Sequence, residues 1–215
     1  MNADTSGGAG ISGTIAGTSV SKYRARNATG QRGSESEMSN RAKTNAAVQS
    51  SLPKPITLPG ILLGVGLGGF VDGILLHQVL QWHHMLSSSE TANINIGSHP
   101  VTTIEGLQMN TLWDGFFHSV TWLAVVVGLG ILYSRIAVSR GRIWTSRVLW
   151  GWMFLGWGGF NVVEGLMNHH LLGIHHVISG DFQTLADILF LVFGVLLIAG
   201  GWLLQRSGQP VDVAG

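Results

Sequence analysis

The sequence predicts an all-α integral membrane protein, with four transmembrane helices bundled from two tandem helical-hairpin repeats and a disordered N-terminal tail ahead of them. Three observations predict it. Of 215 residues, 46% are hydrophobic and only 11% charged, whereas about a quarter of a typical soluble domain is charged. Four apolar stretches, about 58–82, 112–133, 148–172 and 185–204, can each span a hydrocarbon core of about 30 Å. The basic residues fall only in alternate connections between those stretches. Together these argue against an ordinary soluble enzyme.

Residues 1–55 are rich in Ser, Thr, Asn, Gly and Ala and end in Pro53-Lys54-Pro55. Such a segment buries too little apolar surface to offset its ordering entropy, so it is expected to be a disordered cytoplasmic tail. It contains no continuous apolar run of the kind a signal peptide needs, and either Met1 or Met38 suits a chain start. Residues 56–207 form the expected membrane domain and 208–215 a short C-terminal tail. The many glycines within the spans suit membrane helices that pack closely through small residues.

Orientation follows from charge. Seven Lys/Arg precede the first span, Arg135, Arg140, Arg142 and Arg147 separate the second from the third, and Arg206 follows the fourth. The connections 87–111 and 177–184 contain none. The positive-inside rule therefore predicts a multi-pass protein of the plasma membrane with both termini cytoplasmic and these two connections outside.

A shift of 92 residues places Asp72-Gly73-x3-His77-x5-His83-His84 over Glu164-Gly165-x3-His169-x5-His175-His176. A shift of 73 places Thr111-Leu112-Trp113-Asp114 over Thr184-Leu185-Ala186-Asp187. Polar matches in apolar segments are the persuasive part, because polar residues are expensive there. The pattern reads as a duplicated hairpin whose pseudo-twofold axis runs along the membrane normal.

The chain has no Cys, which removes thiolate metal sites, disulfides and thiol nucleophiles. All nine His lie at 77–118 or 169–176, toward the predicted outer side. Ionisable groups within a span cost about 2.5–3.5 kcal/mol even on insertion scales, so Asp72 and Glu164 are functional candidates. At about 100° per residue, His77 and His84 share one stripe, and His169 and His176 repeat it. Asp72 and His83 fall on a different stripe and are expected to be too far apart along the axis to touch. His118, four residues after Asp114, suits either joint ligation or a carboxylate that orients the imidazole.

The metal-ligand set expected on this reasoning is His77, His118, His169, Asp114, Asp72, Glu164, His84 and His176. The first three His are the expected ligands, the acids ligands or orienting groups, and His83, His84, His175 and His176 an outer shell or access path. Imidazole and carboxylate suit Cu, Zn or Fe, and a bis-His haem b held by His77 and His169 is a further form of the idea. Two other readings stay open. One is a small-solute, metal or proton transporter that uses Asp72 and Glu164, which would call for a homodimer; the other is a structural protein whose His make interhelical hydrogen bonds. No nucleophile motif is evident, so whether the protein is an enzyme stays open. Membrane lipid is an expected partner; nucleic acid is not.

The segments Gly64-x-Gly-x-Gly-Gly-Phe-x-Asp-Gly-Ile-Leu-Leu-His-Gln-x-Leu-Gln-Trp-His-His, Trp113-Asp114-Gly115-Phe116-Phe117-His118 and Asn161-x-x-Glu164-Gly165-x3-His169-His170 resemble the bacterial predicted-membrane-protein family known as domain of unknown function 2243. The resemblance covers roughly residues 58–205. It implies a four-span inner-membrane protein without a settled activity, and through its genomic company it points loosely to copper and to respiratory-oxidase assembly partners.

Overall fold

A computed structural model describes residues 36–44, 52–139 and 141–212, in two units, 1–52 and 53–215. In the first unit, residues 36–44 form a short exposed helix, α1, with Arg41 and Glu37 paired at 3.2 Å one turn apart. An i,i+4 ion pair supports this helix locally, within the stretch expected to be a tail. The remainder of that expectation, and the end of the C-terminal tail at 213–215, lie outside the described residues.

The second unit contains four long helices. Helix α2 (Thr57–Phe70) runs without a break into a π-helical segment, π1 (Val71–Val79). Helix α3 (Ile104–Val138) is 35 residues long, and its first turn is capped by Thr103, whose hydroxyl accepts from the Gly106 N–H at 3.1 Å. Helix α4 (Ser146–Glu164) likewise continues into π2 (Gly165–Leu171), and α5 spans Gln183–Arg206. A short antiparallel pair, β1 (Arg142–Trp144) with β2 (Pro210–Asp212), ties the α3–α4 connection to the C-terminal segment expected to be a tail.

Three helical stretches, Thr57–Val79, Ile104–Val138 and Gln183–Arg206, are long and apolar enough to cross a membrane. The expected third span is interrupted by polar character: Arg147, Asn161 and Glu164 all lie in α4. Helix α3 extends eight residues ahead of the expected start at 112, so Asp114 sits well inside it.

Helix α2 packs on α3 and α4, and α4 packs on α5. Glycine sets the central crossing. A Cβ on Gly64 would strike the Met153 backbone, and one on Gly156 would strike the Ile61 backbone, so the two backbones meet where side chains would hold them apart.

The unit is apolar outside and polar inside. Leu112, Phe116, Val120 and Leu123 on α3, and Leu185, Leu189, Val192 and Leu196 on α5, are exposed, while Asn110, Asp114, Thr121 and Asp187 of the same helices are buried. Water would not support that inversion; a hydrocarbon surrounding does. Lys54, Arg135, Arg147 and Arg206 lie at one end of the helices and the histidines at the other.

Candidate functional site

The site is assembled where both helices widen. In a π-helix the backbone bonds from i to i+5, so residues five apart stack along one side. Asp72 and His77 are five apart, as are Glu164 and His169. The result is His77 Nε2 at 3.4 Å from Asp72 Oδ2 and His169 Nε2 at 3.2 Å from Glu164 Oε1.

Beyond each π-helix the chain reverses through a left-handed residue, Gln81 (φ 50°) and Gly173 (φ 61°). The reversal folds the next His back onto the acid that began the segment. His83 Nε2 comes to 3.7 Å from Asp72 Oδ1, and His175 Nε2 to 2.7 Å from Glu164 Oε1. The expectation that Asp72 and His83 cannot touch is therefore corrected: it assumed one continuous α-helix, and the helix ends before His83.

Each outer acid then braces one half. Asp114 accepts from His77 Nδ1 at 3.0 Å, His84 Nδ1 at 2.6 Å and the Met85 N–H at 3.0 Å. Asp187 stands 3.2 Å from His169 Nδ1, and accepts from His176 Nδ1 at 2.7 Å and the Val177 N–H at 3.0 Å. The remaining two imidazoles reach across the halves, His83 Nδ1–H donating to the Val177 carbonyl at 3.0 Å and His175 Nδ1–H to the Met85 carbonyl at 3.2 Å.

The electrostatic consequence is direct. Carbonyls and carboxylates only accept, so each Nδ1 hydrogen-bonded to one must carry the proton, and by the same rule His175 Nε2 donates to Glu164 Oε1 at 2.7 Å. The Nε2 atoms of His77, His83, His169 and His175 all point toward Asp72 and Glu164 at the centre. Those of His77, His83 and His169 have no hydrogen-bond partner, nor has Glu164 Oε2. Burial, reinforced by the positive charge that the neighbouring His175 and His77 imidazoles can carry, pushes the His83 imidazole down to about 2 and holds it in its neutral form. The rings stand close together, with centroids 4.4 Å apart for His77–His83 and 5.0 Å for His83–His175 and His169–His175. Within each of two sets of donor atoms, His77/His83/His175 and Glu164/His169/His175, the atoms lie within 4.8 Å of one another, and the two sets share His175.

The family described as predicted membrane protein (DUF2243) matches residues 59–208, which include every residue of this cluster. The chain belongs to that family. No curated protein and no solved structure matches it. For this DUF2243 chain, membrane character is thus supported both by the family and by three apolar helices.

Of the residues singled out from sequence, Asp72, His77, Glu164 and His169 meet at the centre. Asp114, Asp187, His84 and His176 surround it as bracing groups. His83 and His175, expected in an outer shell, are central instead. His118 stands apart: it packs against Gly73 and Phe117, its Nε2 has no partner, and Asp114 turns to His77 and His84 rather than to it. His170 and His99 bond local backbone carbonyls. The repeated five-residue acid-to-His spacing, which is not an α-helical one, marks the change of pitch that sets His77 and His169 on their acids, whereas His83 and His175, eleven residues on, return through the reversals at Gln81 and Gly173.

Proposed function

We propose that this protein is a duplicated four-span membrane protein that holds transition-metal ions at the centre formed by Asp72, His77, His83, Glu164, His169 and His175. The observation that carries the reading is that the buried Nε2 atoms of His77, His83 and His169 have no hydrogen-bond partner where they turn toward the buried carboxylates of Asp72 and Glu164. Such an arrangement is costly unless positive charge sits inside it.

The charge count supports two ions. Asp72, Asp114, Glu164 and Asp187 are all buried, and each isolated buried carboxylate costs several kcal/mol. The nearest Lys or Arg along each helix is far: Arg147 precedes Glu164 by 17 residues and Lys54 precedes Asp72 by 18, about 25 Å at 1.5 Å per residue. Two divalent ions balance four carboxylates. Each half supplies two imidazoles and one carboxylate, a set that suits Fe(II) ahead of Zn or Cu. The close spacing of the imidazole rings, 4.4 Å for His77–His83 and 5.0 Å for His83–His175 and His169–His175, supports bare ions over a haem b held by His77 and His169.

The duplication is supported residue by residue. The contacts of Asp72, His77, His83, His84 and Met85 recur at Glu164, His169, His175, His176 and Val177, each 92 positions later, and those of Asp114 recur at Asp187, 73 later. In this reading α4 is the third of four spans, its buried Asn161 and Glu164 lying inside the bundle, and the His-rich end faces outward with both termini cytoplasmic. Asp72 and Glu164, the carriers of the transport alternative, are instead each held against two imidazoles of their own half.

The test is elemental analysis of detergent-purified protein. About two iron, zinc or copper ions per chain are expected, with loss in His83→Ala and His175→Ala. Folded protein free of metal after purification without chelators would overturn the proposal.

A further inference from the structure

A cavity of about 360 Å³ opens between α2, α4 and α5, beside the cluster. Its volume falls in the range of ordinary ligand pockets. The walls are apolar and aromatic, among them Leu76, Trp157 and Phe190, with Trp157 and Phe193 set edge to face at 5.8 Å. Two polar side chains interrupt this lining, Asp72 and Asn161. Asn161 is 2% exposed, and its amide has no hydrogen bond among the described residues. A buried amide without a partner is costly, and a bound group that pairs with it recovers the loss. The rim includes Leu189, Phe193 and Trp82, all on the exposed apolar flank of the bundle, so the mouth faces hydrocarbon rather than water.

The cavity distinguishes the two halves. The positions 92 residues from Gly68 and Asn161 are Phe160 and Gly69. At the corresponding positions of the other half a Phe therefore replaces this Gly and a Gly replaces this Asn.

We propose that the cavity binds a bilayer-dissolved ring compound carrying a hydroxyl group, admitted laterally between α2 and α5. The hydroxyl donates to the Asp72 carboxylate and accepts from the Asn161 amide, while the ring lies among Trp157, Phe190 and Phe193, whose faces and edges favour another ring. Through Asp72 the hydroxyl is held beside the central imidazoles. That it meets a metal centre rests on the function proposed above; the binding itself does not.

The experiment compares saturable binding of radiolabelled 4-heptylphenol and heptylbenzene to the full chain in lipid nanodiscs, with metal content measured on the same preparation. The phenol should bind about five- to tenfold more tightly than the hydrocarbon, the difference of one hydrogen-bonded group. Asn161→Leu should erase that preference, and Ala186→Phe, which fills the cavity from α5, should abolish binding of both probes. Equal binding of the two probes to the wild-type chain, or no saturable phenol binding, overturns the proposal, and neither outcome depends on a variant folding. Metal without phenol binding removes this inference alone. Phenol binding by metal-free protein upholds the cavity and removes the metal reading.

Discussion

The half built on α2 and α3 and the half built on α4 and α5 make the same polar contacts with different surroundings. Asp114 and Asp187 each gather two imidazoles and one backbone N–H. Gly66 meets the Thr121 carbonyl and Val125, and Gly158 meets the Gly194 carbonyl and Ile198. The halves diverge at Asp72 against Glu164, at Gly68 against Phe160 and at Gly69 against Asn161. What is shared holds the centre together; what differs surrounds one cavity.

The largest expected effect comes from the bracing acids. Asp114→Ala and Asp187→Ala each strand buried N–H groups of two His and one backbone amide, at about 3–5 kcal/mol. Reversible unfolding in mixed micelles should show equal losses to within about 1 kcal/mol, and a larger gap would break the equivalence of the halves. Asp114→Asn and Asp187→Asn keep the shape but weaken the carboxylate's hold on His77 and His169. Metal affinity, measured by chelator competition, should fall about ten- to a hundredfold for each. An unchanged affinity would separate these acids from the metal.

Packing gives the next effect. Gly64→Ala and Gly156→Ala push Cβ atoms into the Met153 and Ile61 backbones, at about 1–3 kcal/mol each. Comparable losses from the two would sharpen the comparison. The smallest effect lies at the chain reversals. Gln81 holds φ 50° where its counterpart is Gly173, so Gln81→Gly should stabilise by about 0.5–1 kcal/mol and Gly173→Ala should cost about 1 kcal/mol. Opposite signs at these two positions are the check, read from the same unfolding curves.

Much of this was legible in the sequence, and the misses share one cause. The apolar runs located three membrane-length helices because length and hydropathy are local properties. The repeated acid, Gly and His located the centre because polar groups in apolar segments are rare. The helical wheel then misassigned roles. At 100° per residue, Asp72 and His77 point about 140° apart, but the π-helix aligns them and the reversal at Gln81 returns His83 to the same carboxylate. Asp114 and His118, by contrast, sit in unbroken α-helix and do share a face, yet the cross-helix imidazoles claim the acid. Local periodicity cannot report a change of helical pitch or a partner from another helix. The pairing of Arg142–Trp144 with Pro210–Asp212 was hidden for the same reason, since its partners lie far apart in the chain.

The central claim is most directly tested by a metal-edge X-ray absorption spectrum of the purified protein. The account predicts a first shell of nitrogen and oxygen at about 2.0–2.2 Å with imidazole scattering beyond it, lost when His83 and His175 are both replaced by Ala and retained in His118→Ala. A spectrum without imidazole scattering, or one unchanged by the double substitution, would contradict it.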